Sequence, residues 1–117
     1  MRSAKLLAPL MLALFLLAVS CSTAALETEF VIRLSGTPGL EWHGGYMVVN
    51  AQGQSVSTSV QGRLPAEYRA RGVIVSVSFQ KQVENGLLRV EVLSGGKVVV
   101  SGETTAAYGV VAVATPR

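Results

Sequence analysis

The reactive inventory of this chain is small. It holds one histidine, one cysteine and seven acidic residues, all of them glutamate. Glu41 and His43 stand two apart, which puts both side chains on one face of a strand. With one of the many serines they would compose a Ser-His-Glu triad. No serine sits in a Gly-x-Ser-x-Gly elbow, however, and nothing reads as an oxyanion hole. The pair therefore reads as a charged and a polar residue on a surface strand, with no catalytic residue assigned. Catalytic zinc takes three protein ligands, and His43 has no partner at ligand spacing. The absence of aspartate excludes an EF-hand-type calcium loop. No metal, no cofactor and no enzymatic activity are expected. Trp42 and Tyr46, around Gly44-Gly45, offer a stacking platform for a sugar ring or an apolar ligand. The competing reading, favoured for Trp42, is a tryptophan buried at the centre of a sandwich core.

What positions these residues begins with the amino terminus. Arg2 and Lys5 precede an apolar run from Leu6 to Val19, closed by Ala18-Val19-Ser20-Cys21. A basic start, an apolar middle and small residues at the cut form an export signal. The run is shorter than the roughly 20 residues of a spanning helix. This segment resembles a bacterial lipoprotein precursor, whose signal ends in small residues before a cysteine that becomes acylated. The resemblance implies a signal over residues 1–20, lipidation (palmitate among the chains) at Cys21, and a home in the cell membrane or the outer membrane. Ala18 stands where that family prefers a larger aliphatic, so Ala18-Val19-Ser20 also fits an ordinary signal peptidase. Residues 21–28 then form a tether of some 20–25 Å, at about 3.5 Å per extended residue. Removing Arg2 and Lys5 lowers the formal charge from +3 to +1. No basic cluster remains, and nucleic acid is not an expected partner. A single cysteine cannot form an intrachain disulfide.

Residues 29–117 are enough for one small domain, and their apolar period is two throughout. Phe30, Ile32 and Leu34 define a first strand, Glu41 to Val49 a second, and Ser55 to Gln61 a third with serines on one face. Gly44-Gly45 predicts a bulge or a close backbone approach. Glu67 to Arg71, after Pro65, reads as a short edge strand. Val73, Val75, Val77 and Phe79 share the apolar face of the next. Asn85-Gly86 predicts a type I′ hairpin pairing Lys81 with Val90 and Phe79 with Val92, the Lys81 stem snorkelling outward. A three-residue loop at Ser94-Gly95-Gly96 then pairs Val92 with Val98 and Val90 with Val100, because register follows the buried face. Tyr108 to Val113 closes the domain, with Tyr108 either a tyrosine corner or a half-buried strand aromatic. About seven short strands read as a small all-β, immunoglobulin-like antiparallel β-sandwich, a small barrel being the alternative.

Five features bear a resemblance to the exported domain of the mycobacterial MmpS family. They are a first strand ending in Gly36, Tyr46 on the second, Leu64-Pro65, a hairpin with Gly96-Lys97-Val98, and a closing strand opened by Tyr108. The resemblance implies an immunoglobulin-like accessory to a large lipid transporter. That family is held by a spanning helix and carries a cysteine pair, and neither feature occurs here. The alternation also leaves Ile74, Leu87, Leu93 and Val99 pointing outward, joined by Val111 and Val113 if Tyr108, Val110 and Ala112 face in. These six residues are the expected face for an envelope protein, a second copy or the membrane surface. The expectation is thus an exported, lipid-anchored, non-enzymatic binding or accessory module, the alternatives being a small-ligand domain or an MmpS-like transport accessory.

Overall fold

A computed structural model describes residues 26–116. The expected export signal, Cys21 and most of the expected tether lie outside them. Eight strands follow in order: β1 (Thr28–Gly36), β2 (Glu41–Val49), β3 (Ser55–Arg63), β4 (Ala66–Gly72), β5 (Ile74–Lys81), β6 (Leu88–Ser94), β7 (Lys97–Thr104) and β8 (Val110–Ala114). They form two antiparallel four-stranded sheets, ordered β4-β1-β6-β7 and β3-β2-β5-β8, and face one another as a β-sandwich.

Period-two alternation accounts for this architecture. On β1, Phe30, Ile32 and Leu34 point inward while Val31 and Arg33 point out. Val75, Val77 and Phe79 on β5 meet Leu88, Val90 and Val92 on β6 across the core, and Trp42 lies among them. Complete burial of one such aliphatic side chain contributes about 1.5–3 kcal/mol. Leu40 and Leu64 cover one end of the core, where the Leu64 amide donates to the Leu40 carbonyl at 3.0 Å. On the outer faces, Arg69–Glu29 and Arg89–Glu103 at 2.8 Å and Arg63–Glu41 at 2.9 Å link strands in direct, solvent-exposed ion pairs. Exposed pairs of this kind contribute less than about 1 kcal/mol each.

Three local expectations are corrected. The Asn85-Gly86 hairpin does not exist: β5 pairs with β2 and β8, and β6 with β1 and β7. Matching apolar faces are satisfied equally by strands side by side and by strands stacked across a core. Here they are stacked, and residues 82–87 cross from one sheet to the other. Gly86 alone has positive φ there (99°), whereas a type I′ turn needs two such residues. Gly86→Val is still expected to cost about 1–3 kcal/mol, measurable in a thermal melt, through backbone strain. A Cβ would also come within 2.8 Å of Leu40 Cδ1.

The β6–β7 turn is a two-residue Gly95-Gly96 loop, with Ser94 opposite Lys97 and Leu93 opposite Val98. A bulge then absorbs Val99 and sets Val100 against Val92, returning an apolar residue to the core side. Glycine chemistry decided the turn, and the bulge restored the buried face. Tyr108 is neither corner nor strand aromatic. It occupies the loop before β8 with φ 51° and is 52% exposed. Gly44-Gly45 interrupts nothing, since β2 pairs with β3 without a register shift. Glycine at 44 answers a close approach, because a Cβ there would overlap the Ser78 carbonyl oxygen.

Candidate functional site

The aromatic platform turns inward. Trp42 is completely buried, set edge-on to Phe79 (ring centroids 5.4 Å apart, 86° between planes) and to Tyr68 (6.1 Å, 84°). Its indole N–H has no hydrogen-bond partner among the described residues. Tyr46 is half-buried on the same inner face and packs on Tyr68 at 5.8 Å. No sugar or apolar ligand can stack on Trp42 while the core is intact, so the stacking site is corrected to a core aromatic cluster. Tyr68, which completes it, is missing from the sequence reading, which takes Glu67 to Arg71 only as a short edge strand. Burial, and then the neighbouring Tyr46, push the Tyr68 phenol above its ordinary value.

The six-residue apolar face is also dispersed. Ile74, Val111 and Val113 belong to the β3-β2-β5-β8 sheet and Leu93 and Val99 to the other, with Leu87 in the crossing between them. Val111 is 4% exposed and Leu93 7%, Val113 packs on the core, and Ile74 and Leu87 are half-buried. Only Val99, at the bulge, is well exposed. For Val111 and Val113 the facing of β8 is reversed, Val110 and Ala112 being the outward residues. Val111 and Val113 pack inward beside Gly102, whose missing side chain leaves them room.

Glu41 and His43 do share an exposed face of β2, but they assemble no relay. The Glu41 carboxylate accepts from Arg63 at 2.9 Å, and His43 is flanked by Gln61 on β3 and Gln80 on β5. Among the described residues, no three His, Cys, Asp or Glu gather closely enough to hold a metal ion.

The outer face of the β3-β2-β5-β8 sheet carries the remaining organised surface. Register places Ser59, Gly45, Ser78 and Ala112 in one row across the four strands. Ser57, Met47, Ser76 and Ala114 form the next, and Gln61, His43, Gln80 and Val110 flank the first on its other side. With no side chain at Gly45, a shallow groove of about 350 Å³ opens between the serines. It runs toward a depression of about 610 Å³ beside His43, Gln61 and Gln82. Hydroxyls and carboxamides, interleaved with the exposed Met47 and Val110 and carrying no fixed charge, line these rows. Such a surface offers donors and acceptors at low desolvation cost to an extended polar partner. The sequence signals were present in the serines alternating on Ser55–Ser59 and Ser76–Ser78 and in the glycine between them. Their alignment depended on a strand order that alternation alone does not give.

The chain matches no protein-family model, and no curated protein shows significant similarity to it.

Proposed function

We propose that this protein is an exported, lipid-anchored β-sandwich that works as a non-enzymatic binding or accessory module of the cell envelope. Its working face is the serine- and glycine-rich strip over Gly45. The observation that carries this reading is the alignment of Ser59, Gly45 and Ser78 into a concave, uncharged groove on a rigid sheet. The partner that suits it is an uncharged, hydrogen-bonding segment of an envelope component, lying across the strands. Anchoring rests on the signal ending at Cys21, because two or more acyl chains hold a protein stably where one does not.

Ser78→Arg tests the face, since an exposed β5 side chain can be enlarged without disturbing the core. The variant is expected to melt like the native protein and to lose the partners captured with it from the envelope. Undiminished capture by Ser78→Arg overturns the assignment of this face. Cys21→Ala is expected to shift the protein out of the membrane fraction, and an unmodified Cys21 thiol on the mature native protein contradicts the anchor.

A further inference from the structure

Each sheet of the sandwich ends in two edge strands, and three of the four are protected. β4 follows Pro65 and presents Glu67, Arg69 and Arg71 outward. β7 begins at Lys97 and is broken by the bulge at Val99. β8 has only five residues and lies beside β7. Charges, bulges, proline and short length are the usual devices that stop an edge from pairing with another chain. β3 has none of them from Ser55 to Gly62. It runs for nine residues against β2 without a register shift, and its first eight residues are uncharged.

The backbone groups of β3 that pair with no other strand among the described residues can be assigned. At either end of the β2–β3 ladder, the Asn50 amide donates to the Gln54 carbonyl (2.9 Å) and the Leu64 amide to the Leu40 carbonyl (3.0 Å). Antiparallel ladders alternate, so even-numbered residues of β3 turn their peptide groups toward β2. Ser55, Ser57, Ser59 and Gln61 therefore turn theirs to the open edge. The other side of β2 agrees: Gln82 donates to the carbonyl of Glu41, an odd-numbered residue.

The segment Ser55-Val56-Ser57-Thr58-Ser59-Val60-Gln61 is nearly palindromic about Thr58. Antiparallel pairing of two such strands around a two-fold axis at Thr58 sets Ser57 opposite Ser59 of the second copy and Ser55 opposite Gln61. These are the odd-numbered residues, so free donors meet free acceptors in about eight backbone hydrogen bonds. On the inner side, Val56 meets Val60 of the second copy. Val56 points to the core side of its sheet yet is 64% exposed. The one charge on the strand, Arg63, falls opposite Gly53 of the second copy, so no like charges meet. A symmetric interface requires a patch complementary to itself, and this edge has that property in sequence, in backbone parity and in charge.

We propose that β3 is the contact surface for a second copy of this chain, joined in that register into one continuous eight-stranded sheet. The pairing uses both free β3 edges, so assembly stops at the dimer.

Cysteine cross-linking of the full-length, membrane-anchored protein tests the register. Thr58 would face its own equivalent in a non-hydrogen-bonded pair, with Cα atoms about 4.5 Å apart, inside the range a disulfide bridges. Thr58→Cys is expected to give an intermolecular disulfide dimer under mild oxidation. Val56→Cys alone is expected to give none, and Val56→Cys co-expressed with Val60→Cys to give the mixed dimer. Ser57→Pro removes an edge-facing donor without touching the β2–β3 ladder. It is expected to melt like the native protein and to run as a monomer in detergent, where the native protein runs as a dimer. The proposal is overturned if Thr58→Cys cross-links no more than Val56→Cys alone, if Thr58→Cys is captured by a different protein, or if Ser57→Pro remains dimeric. Ser78→Arg lies on another strand and leaves the dimer intact, so this test and that of the serine face fail independently.

Discussion

Lys81→Met is expected to remove about 3–5 kcal/mol of stability, a large share of what a domain of this size has. Lys81 is fully buried, and its ammonium donates to three backbone carbonyls: Ala106 at 2.8 Å, Glu84 at 3.2 Å and Thr105 at 3.3 Å. One acceptor belongs to the β5–β6 crossing and two to the loop before β8. A single side chain thus holds together two irregular segments at one end of the sandwich. Methionine keeps the length of the stem but takes the ammonium away from all three carbonyls, of which Ala106 still accepts from the Gly109 amide at 3.0 Å. Hydrogen bonds to charged groups contribute about 1.5–3 kcal/mol each. The loss should appear as a fall of more than about 10 °C in melting temperature. A melt within a few degrees of the native protein would show that the loops hold their shape without the cation.

Trp42→Ala is the second large effect, at about 3–5 kcal/mol. The indole fills the core between β2, β4 and β5, against Phe79 and Tyr68, and its removal leaves a cavity that a rigid sandwich cannot collapse. Trp42→Phe is expected to cost clearly less. It keeps a ring against Phe79 and removes an indole N–H that is buried without a partner. Chemical denaturation that gives equal losses for the two variants would locate the stabilisation in the indole itself and not in the filled volume.

Alternation made the sandwich legible, and local glycine chemistry made the tight β6–β7 connection legible in place though not in length. Lys81 shows where the reading stopped. It was recognised as the one misfit on an apolar face, and snorkelling was the reasonable local answer. Its burial depends on carbonyls that arrive from residues 84, 105 and 106, which no strand pattern brings together. The outward apolar face failed for a related reason. It needed β5 and β6 side by side, and a core built of facing valines looks the same in sequence when they are stacked. The serine strip and the open β3 edge were both written in the alternation of Ser55 to Gln61. What that alternation did not reveal was that β3 lies at an edge, with its inner Val56 left exposed.

The place of β1 inside its sheet also dictates the order in which the chain can fold. Ile32 lies opposite Tyr68 on one side and Val92 on the other, so both neighbours of the first strand come from much later in the chain. A chain delivered amino terminus first therefore presents Phe30, Ile32 and Leu34 to its surroundings long before anything can cover them. Pairings this distant in sequence close slowly, because loop entropy is lost before contacts are gained. Until Ser94 has emerged the first sheet has no centre, and until Val111 has emerged Phe79 lacks its outer neighbour. The domain is thus obliged to remain open through most of its delivery and to close only near the end, a timing set by strand order alone.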